Sequence, residues 1–165
     1  MPHTIRIGVV GAGANTRRFH IPNLKKIAGV EIVSVVNRSR ASSEKAAKEF
    51  GIPRVHDNWQ ALVNDSGIDA VVIGTWPYLH CAVTLAALAA GKHVLTEARL
   101  AMNAAEARQM LAASRARPGL VTQVVPGPTT FPADPMIMRL LADGYCGELQ
   151  AIDLKVPTGW LDRDA

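Results

Sequence analysis

Little in this chain is aromatic, sulfur-bearing or charged in runs, and each shortage removes a class of protein. Two cysteines, Cys81 and Cys146, stand far apart without metal-like spacing. Neither a disulfide scaffold nor a zinc site is written there, and a reduced, cytoplasmic setting is the simplest reading. Aromatic residues make up 5% of the chain and do not interleave with the basic ones. A formal charge of +4 therefore does not imply a nucleic-acid surface. No apolar run reaches the ~20 residues of a membrane span, so no membrane partner is expected. The opening residues, Met1-Pro-His-Thr-Ile-Arg6, lack the basic-then-apolar order of a signal peptide. No pair among the five histidines has metal-ligand spacing with a cysteine or carboxylate, so no metal is expected. What remains is a chain of 165 residues, 48% hydrophobic and 19% charged, enough for about one domain with a real core.

The most informative stretch is Ile5-Arg-Ile-Gly-Val-Val-Gly-Ala-Gly-Ala-Asn15. A short run rich in Ile and Val feeds into Gly11-Ala12-Gly13, and a helix-like segment follows. That order reads as strand, tight turn and helix N-terminus. Glycines there let the backbone approach a pyrophosphate, whose charge the free helix N–H groups can hold. Thr16 stands where a third glycine would complete the fingerprint. A second apolar strand ends at Asn37, close to the ~20-residue distance at which a dinucleotide site places its ribose-reading residue. The plainer alternative is a glycine turn that merely joins a strand to a helix.

Strand and helix signals then alternate, the rhythm of a doubly wound parallel sheet. Strands are expected at Ile5–Val10, Glu31–Val36, Arg54–His56, Ala70–Ile73, His93–Thr96 and Leu120–Val125. Helices are expected over Thr16–Ala28 (bent or shortened by Pro22), from near Ser42 to Gly51, within Asn58–Asn64, over Tyr78–Ala90, and from Asn103 to before Pro118. Asn103 with Glu106 makes a capping-box-like pair. Beyond Val125 the character changes. A stiff loop, Pro126–Pro132, leads to a helix capped by Asp134 and ending near Asp143-Gly144, and Leu149–Val156 alternates as a half-buried strand would.

Four segments together resemble the glucose–fructose oxidoreductase / inositol dehydrogenase / MocA family. They are Gly11-Ala-Gly13 with His20 and Leu24; Asp69-Ala-Val-Val-Ile-Gly-Thr75 with Pro77 and His80; Ala90-Gly-Lys-His-Val-Leu-Thr-Glu97; and Gly147-Glu-Leu. The resemblance implies an N-terminal Rossmann-type α/β domain that binds NAD or NADP, over residues 1–125. It implies that 126–165 is only the opening of a second α/β domain, whose substrate site is otherwise absent. The family usually carries Glu-Lys-Pro after the fifth strand. Here those positions hold Glu97, Ala98 and Arg99, so the family lysine, which helps position substrate and transfer its proton, is replaced by an alanine with no proton to give.

The candidate cofactor-binding residues are Gly11, Gly13, Ala14, Asn15, Asn37, Arg38, Ser39, Thr75, Trp76, His80 and Glu97, and no catalytic residue is assigned. Asn37 in place of an acid keeps hydrogen bonding without repelling a 2′-phosphate, and Arg38, Ser39 and Arg40 add two cations and a hydroxyl. This favours NADP over NAD. Plainer readings stand beside each: a polar loop for Asn37–Arg40, a packed loop aromatic for Trp76, a cap or buried structural group for His80, a structural histidine for His20, a helix-start acid for Glu97. The functional expectation is the cofactor-binding portion of an NAD(P)-dependent oxidoreductase, with a dinucleotide as partner and a small sugar, polyol or related hydroxy substrate if a second domain is present. The alternative is a non-catalytic dinucleotide-binding module or truncated fragment. Residues 1–165 alone are expected to be inactive. Residues from about Leu149 onward, a strand without its sheet, are expected to pair with another copy as a homo-oligomer or to be poorly ordered.

Overall fold

A computed structural model describes residues 4–125, 133–148, 150, 151 and 153. By internal packing the chain divides into two compact units, Met1–Gly127 and Pro128–Ala165. The first contains six strands: β1 (Ile5–Val10), β2 (Val30–Val36), β3 (Arg54–Val55), β4 (Ala70–Ile73), β5 (His93–Thr96) and β6 (Thr122–Val124). All pair in parallel, in the order β3-β2-β1-β4-β5-β6. This is the Rossmann order, in which the chain starts in the middle, winds outward, then returns to wind the other way. Within the first unit the expected doubly wound α/β sheet is therefore the fold.

Successive strand residues point to opposite faces, and the two faces carry separate cores. Val9, Ile32, Val35 and Val72 pack with Ile21 of α1 (Ile21–Leu24) and Ala46 of α2 (Arg40–Phe50). Val10, Val36, Val71 and Ile73 pack with Leu62 and Val63 of α3 (Trp59–Val63) and with Val83, Ala87 and Leu88 of α4 (His80–Ala89). Burial on both faces is why β4 reads Ala-Val-Val-Ile without alternation. α5 (Ala104–Arg115) is capped by Asn103, whose Oδ1 accepts from the Glu106 N–H at 2.9 Å, while Glu106 Oε2 accepts from the Met102 N–H at 3.0 Å. Among the described residues no helix is long and apolar enough to cross a membrane.

Several boundaries differ from the sequence reading. The first helix is a π-helical turn, Thr16–His20, running into the short α1, so it stops well before Ala28. Pro22 sits in the first turn of α1 and has no N–H to donate, and the Ile21 N–H reaches back five residues to Thr16 O. α2 begins at Arg40 rather than Ser42, because Ser39 and not a later serine caps it. The Ser39 side chain accepts from the Ser42 N–H, and the Ser42 hydroxyl returns to the Ser39 N–H. α4 is preceded by a 3-10 turn, Pro77–Leu79, in place of helix from Tyr78. β2 starts one residue earlier, and β3 and β6, the edge strands, are shorter than expected.

In the second unit α6 spans Asp134–Ala142, and Asp134 is its first residue, with no side-chain cap at Ala133. Met136, Ile137, Met138 and Leu141 on it are exposed. The loop Pro126–Pro132 and most of the strand expected over Leu149–Val156 lie outside the described residues.

Lys92 closes the amino-terminal edge of the sheet. It is buried, and its Nζ donates to Ile68 O at 2.6 Å and Asp65 O at 3.0 Å, holding the turn between α3 and β4. Replacing it by methionine fills the space but orphans two carbonyls and removes charge-assisted bonds. Lys92→Met is expected to cost about 1.5–3 kcal/mol of unfolding free energy, read by urea denaturation at constant slope.

Candidate functional site

The site grows from two strand exits that meet at the reversal of strand order. At the end of β1 the Gly11 N–H donates to Val36 O at 2.8 Å and Gly11 adopts φ +91°. A Cβ there would fall 2.8 Å from both Gly74 C and Thr75 N, so the residue is fixed as glycine by conformation and by space. At the end of β4 the Gly74 N–H donates to Val10 O at 2.8 Å, and a Cβ on Gly74 would meet Gly11 O at 2.6 Å and Thr16 Oγ1 closer still. Thr16 is only 1% exposed. The close helix–strand approach that a third fingerprint glycine normally allows is thus provided from the opposite side, by Gly74. Gly13 is different. A Cβ there would have Gly74 O at 3.7 Å as its nearest neighbour, an ordinary contact, so the fold itself makes no demand for glycine at that position.

A cleft of about 490 Å³ opens at this junction, a volume typical of small-molecule sites (about 300–1,000 Å³). Of the candidates, Gly11, Gly13, Asn37, Arg38, Thr75 and Trp76 line it. Asp57, Asn58 and Trp59 also line it, and sequence reasoning missed them. The available signal was topological: the connection after β3 must open on the same carboxyl edge as the others in a parallel sheet. Gly74, Tyr78 and Leu79, also unassigned from sequence, complete the wall below Trp76, which is 74% exposed.

The polar segment after β2 divides its work. Asn37 Oδ1 accepts from the Ala12 N–H at 2.6 Å, its Nδ2 donates to Ser42 O at 2.9 Å, and its own N–H donates to Ser43 Oγ at 2.8 Å. The side chain therefore ties the glycine turn to the start of α2. The Ser39 hydroxyl is occupied as the cap of α2. Arg40 is held by Glu44 at 2.7 Å and Asp57 at 2.6 Å, so it is not the second free cation expected there. Arg38 is exposed and enters none of the hydrogen bonds or ion pairs found among the described residues.

Ala14, Asn15, Ser39, His80 and Glu97 are not in the cleft lining. Ala14 is exposed at the start of the helical run. His80 is fully buried beneath the cleft, with Nε2 2.9 Å from Thr75 O and Nδ1 2.8 Å from Arg99 O, so it joins the connection after β4 to that after β5. Asn15, His20 and Glu97 form a separate cluster across the ends of β1 and β5. Glu97 Oε1 accepts from Asn15 Nδ2 and pairs with His20 Nε2, while Oε2 accepts from the Ala98 N–H at 3.1 Å. Burial works to raise the Glu97 carboxyl, but the hydrogen bonds from His20 and Asn15, the His20 charge and the Ala98 N–H together hold it below the usual carboxylate range. Ala98 and Arg99 are exposed.

Comparisons with known proteins follow this geometry. Residues 5–124 match the model of the "oxidoreductase family, NAD-binding Rossmann fold". Over 120 residues the chain is 38% identical to trans-1,2-dihydrobenzene-1,2-diol dehydrogenase of Oryctolagus cuniculus, covering 73% of this chain and 36% of that enzyme. Biliverdin reductase of Synechocystis sp. PCC 6803, solved with biliverdin and NADP+, superimposes with a TM-score of 0.68 at 36% identity, over 73% of this chain and 37% of that one. Scyllo-inositol dehydrogenase of Lactobacillus casei, solved with NAD(H) and scyllo-inositol, gives a TM-score of 0.77 at 25% identity, over 88% and 43%. The chain thus spans less than half the length of each.

Gly74 and Gly13 should respond differently to an added methyl group. Gly74→Ala is expected to destabilise by about 1–3 kcal/mol through overpacking against backbone. Gly13→Ala should stay within about 0.5 kcal/mol of wild type. Parallel urea melts distinguish the two.

Proposed function

Because the chain belongs to the GFO_IDH_MocA oxidoreductase family, with its NAD-binding Rossmann fold, we propose that residues 1–125 hold a nicotinamide dinucleotide across the cleft and form the cofactor-binding portion of an oxidoreductase. The substrate class is a sugar, polyol or related hydroxy compound. Residues 126–165 open the domain that would carry it, and the assembly is a homo-oligomer. The observation that carries the reading is the cleft at the β1/β4 switch point, walled on one side by Gly11 and Gly13, where open α/β sheets bind their ligands.

The residues present fit such a ligand. A glycine at position 13 that the fold does not need leaves room for a pyrophosphate to approach the backbone. The helical run that starts there offers N–H groups with no upstream carbonyl partner. The adenosine half lies toward β2 and β3, where Asn37, Arg38 and Trp59 stand, and the nicotinamide half toward β4 and β5, near Thr75, Trp76 and Glu97. Nicotinamide supplies the hydride chemistry when bound, and this chain's residues bind and orient. Arg38, with no acid to answer it, favours a 2′-phosphate and hence NADP over NAD.

Proton transfer is the step that position 98 does not equip. Ala98 carries no titratable group at the family's lysine position, and Arg99 is a poor general base because a guanidinium stays protonated. That one substitution favours a second reading, a dinucleotide-binding module without catalysis.

Calorimetric titration with NADP and NAD tests the proposal. NADP is expected to bind more tightly. Arg38→Ala should weaken NADP by about five- to tenfold, a value lowered from a full charge-assisted bond because the site is exposed, and leave NAD within about twofold. Equal loss for both cofactors would remove Arg38 from phosphate recognition. No substrate-dependent reduction is expected of residues 1–165 with a panel of sugars and polyols, and robust turnover would overturn the non-catalytic reading of this segment.

A further inference from the structure

Where β2 and β3 end, the cleft is lined by Asn37, Arg38, Ser42 and Asp57. The acid stands on the wall where the phosphorylated end of a ligand is proposed to lie. Its place is set by its neighbours. The His56 N–H donates to Val35 O at 3.3 Å, and Asn58 caps α3 by accepting from the Ala61 N–H at 2.8 Å. Asp57 sits between these two anchors with its side chain 81% exposed. Arg40 is placed with equal firmness, as the first residue of α2 directly after the Ser39 cap. The two side chains meet between the connections. Arg40 Nη1 donates to Asp57 Oδ1 at 2.6 Å, while Arg40 Nε donates to Glu44 Oε1 at 2.7 Å.

One guanidinium between two carboxylates leaves the trio with a net negative charge. Arg38 is exposed and enters none of the hydrogen bonds or ion pairs found among the described residues. This end of the cleft therefore carries two arginines but offers the charge of only one. Glu44 is the ordinary partner one turn along the same helix. Asp57 is not: it comes from a different connection and belongs to the cleft wall.

We propose that Asp57 is a specificity-determining residue. It holds the Arg40 guanidinium away from a ligand phosphate and so limits the preference for a 2′-phosphorylated dinucleotide that Arg38 confers. The inference rests on the dinucleotide reading above and adds to it a residue that opposes the phosphate. Without the Asp57 carboxylate, Arg40 keeps Glu44 on Nε and has both Nη groups free, a planar fork suited to phosphate oxygens. The pair is exposed, so the discrimination it exerts is modest and weakens with salt.

The test is calorimetric titration of NADP and NAD into the 165-residue chain and its variants, each first shown to be folded by its urea melt. Asp57→Asn is expected to tighten NADP by about three- to fivefold and to leave NAD within about twofold. Asp57→Glu keeps a carboxylate within reach of Arg40 and should retain the wild-type ratio of the two affinities. In an Arg40→Ala background the same Asp57→Asn change should tighten NADP by no more than about twofold, the part due to charge alone. An equal gain in both backgrounds would overturn the proposal, because Asp57 would then act without Arg40. A ratio of affinities unmoved by Asp57→Asn would overturn it as well, that being the mark of a merely structural ion pair. If wild type binds neither cofactor, the dinucleotide reading falls and the role falls with it. If wild type binds both and the ratio does not respond, the role alone falls.

Discussion

Everything near the cleft depends on one steric constraint: the exits of β1 and β4 approach so closely that neither tolerates a Cβ. Gly11 and Gly74 lie back to back, each held by a backbone bond from its N–H to the last residue of a neighbouring strand. That contact bends the chain away from β1 into the turn and lets Thr16 bury against β4. It also sets the two walls of the cleft at their separation. Interiors are close-packed and have little room to give, so a methyl group at either place must move backbone rather than a side-chain tip.

Strands buried on both faces were the most legible part of the chain. β1, β4 and β5 fall at the bounds read from the sequence: β4, packed on both faces, carries no polar residue, while Arg6 in β1 and His93 and Thr96 in β5 flank or interrupt apolar residues. The edge strands β3 and β6 were less sharply written, since half of each lacks a neighbour to satisfy. The first helix was misread at its end because a π-helical turn has no local signature in composition. In the site, Gly11 and Gly13 could be found from their spacing alone. Gly74 could not, because the atoms that forbid its side chain belong to residues far away in sequence.

The polar residues around the turn show why chemistry alone misassigns a site. Arg40 had the right charge in the right place, but Glu44 one helical turn on and Asp57 from another connection take up its guanidinium. Asn37 has the right hydrogen-bonding groups, yet the structure spends them on the backbone of Ala12 and Ser42. An acid at 37 could accept from Ala12 but would face the Ser42 carbonyl with no proton to offer. The amide is therefore part of the scaffold as well as part of the cleft wall. Ion pairing and bond saturation are properties of the folded neighbourhood, and a linear reading sees only the residue types.

Cys81 lies buried under α5, its Sγ 3.9 Å from Glu106 O, and burial together with the Glu106 charge pushes its thiol up from the ordinary value. Cys146, in the second unit, is exposed. The chain thereby carries a built-in clock. A thiol-labelling reagent meets Cys146 at once, whereas Cys81 reacts only when the α4–α5 layer parts, and only in the thiolate form that its surroundings suppress. The interval between the two labelling phases measures how often that layer breathes, with no engineered probe and each molecule as its own reference.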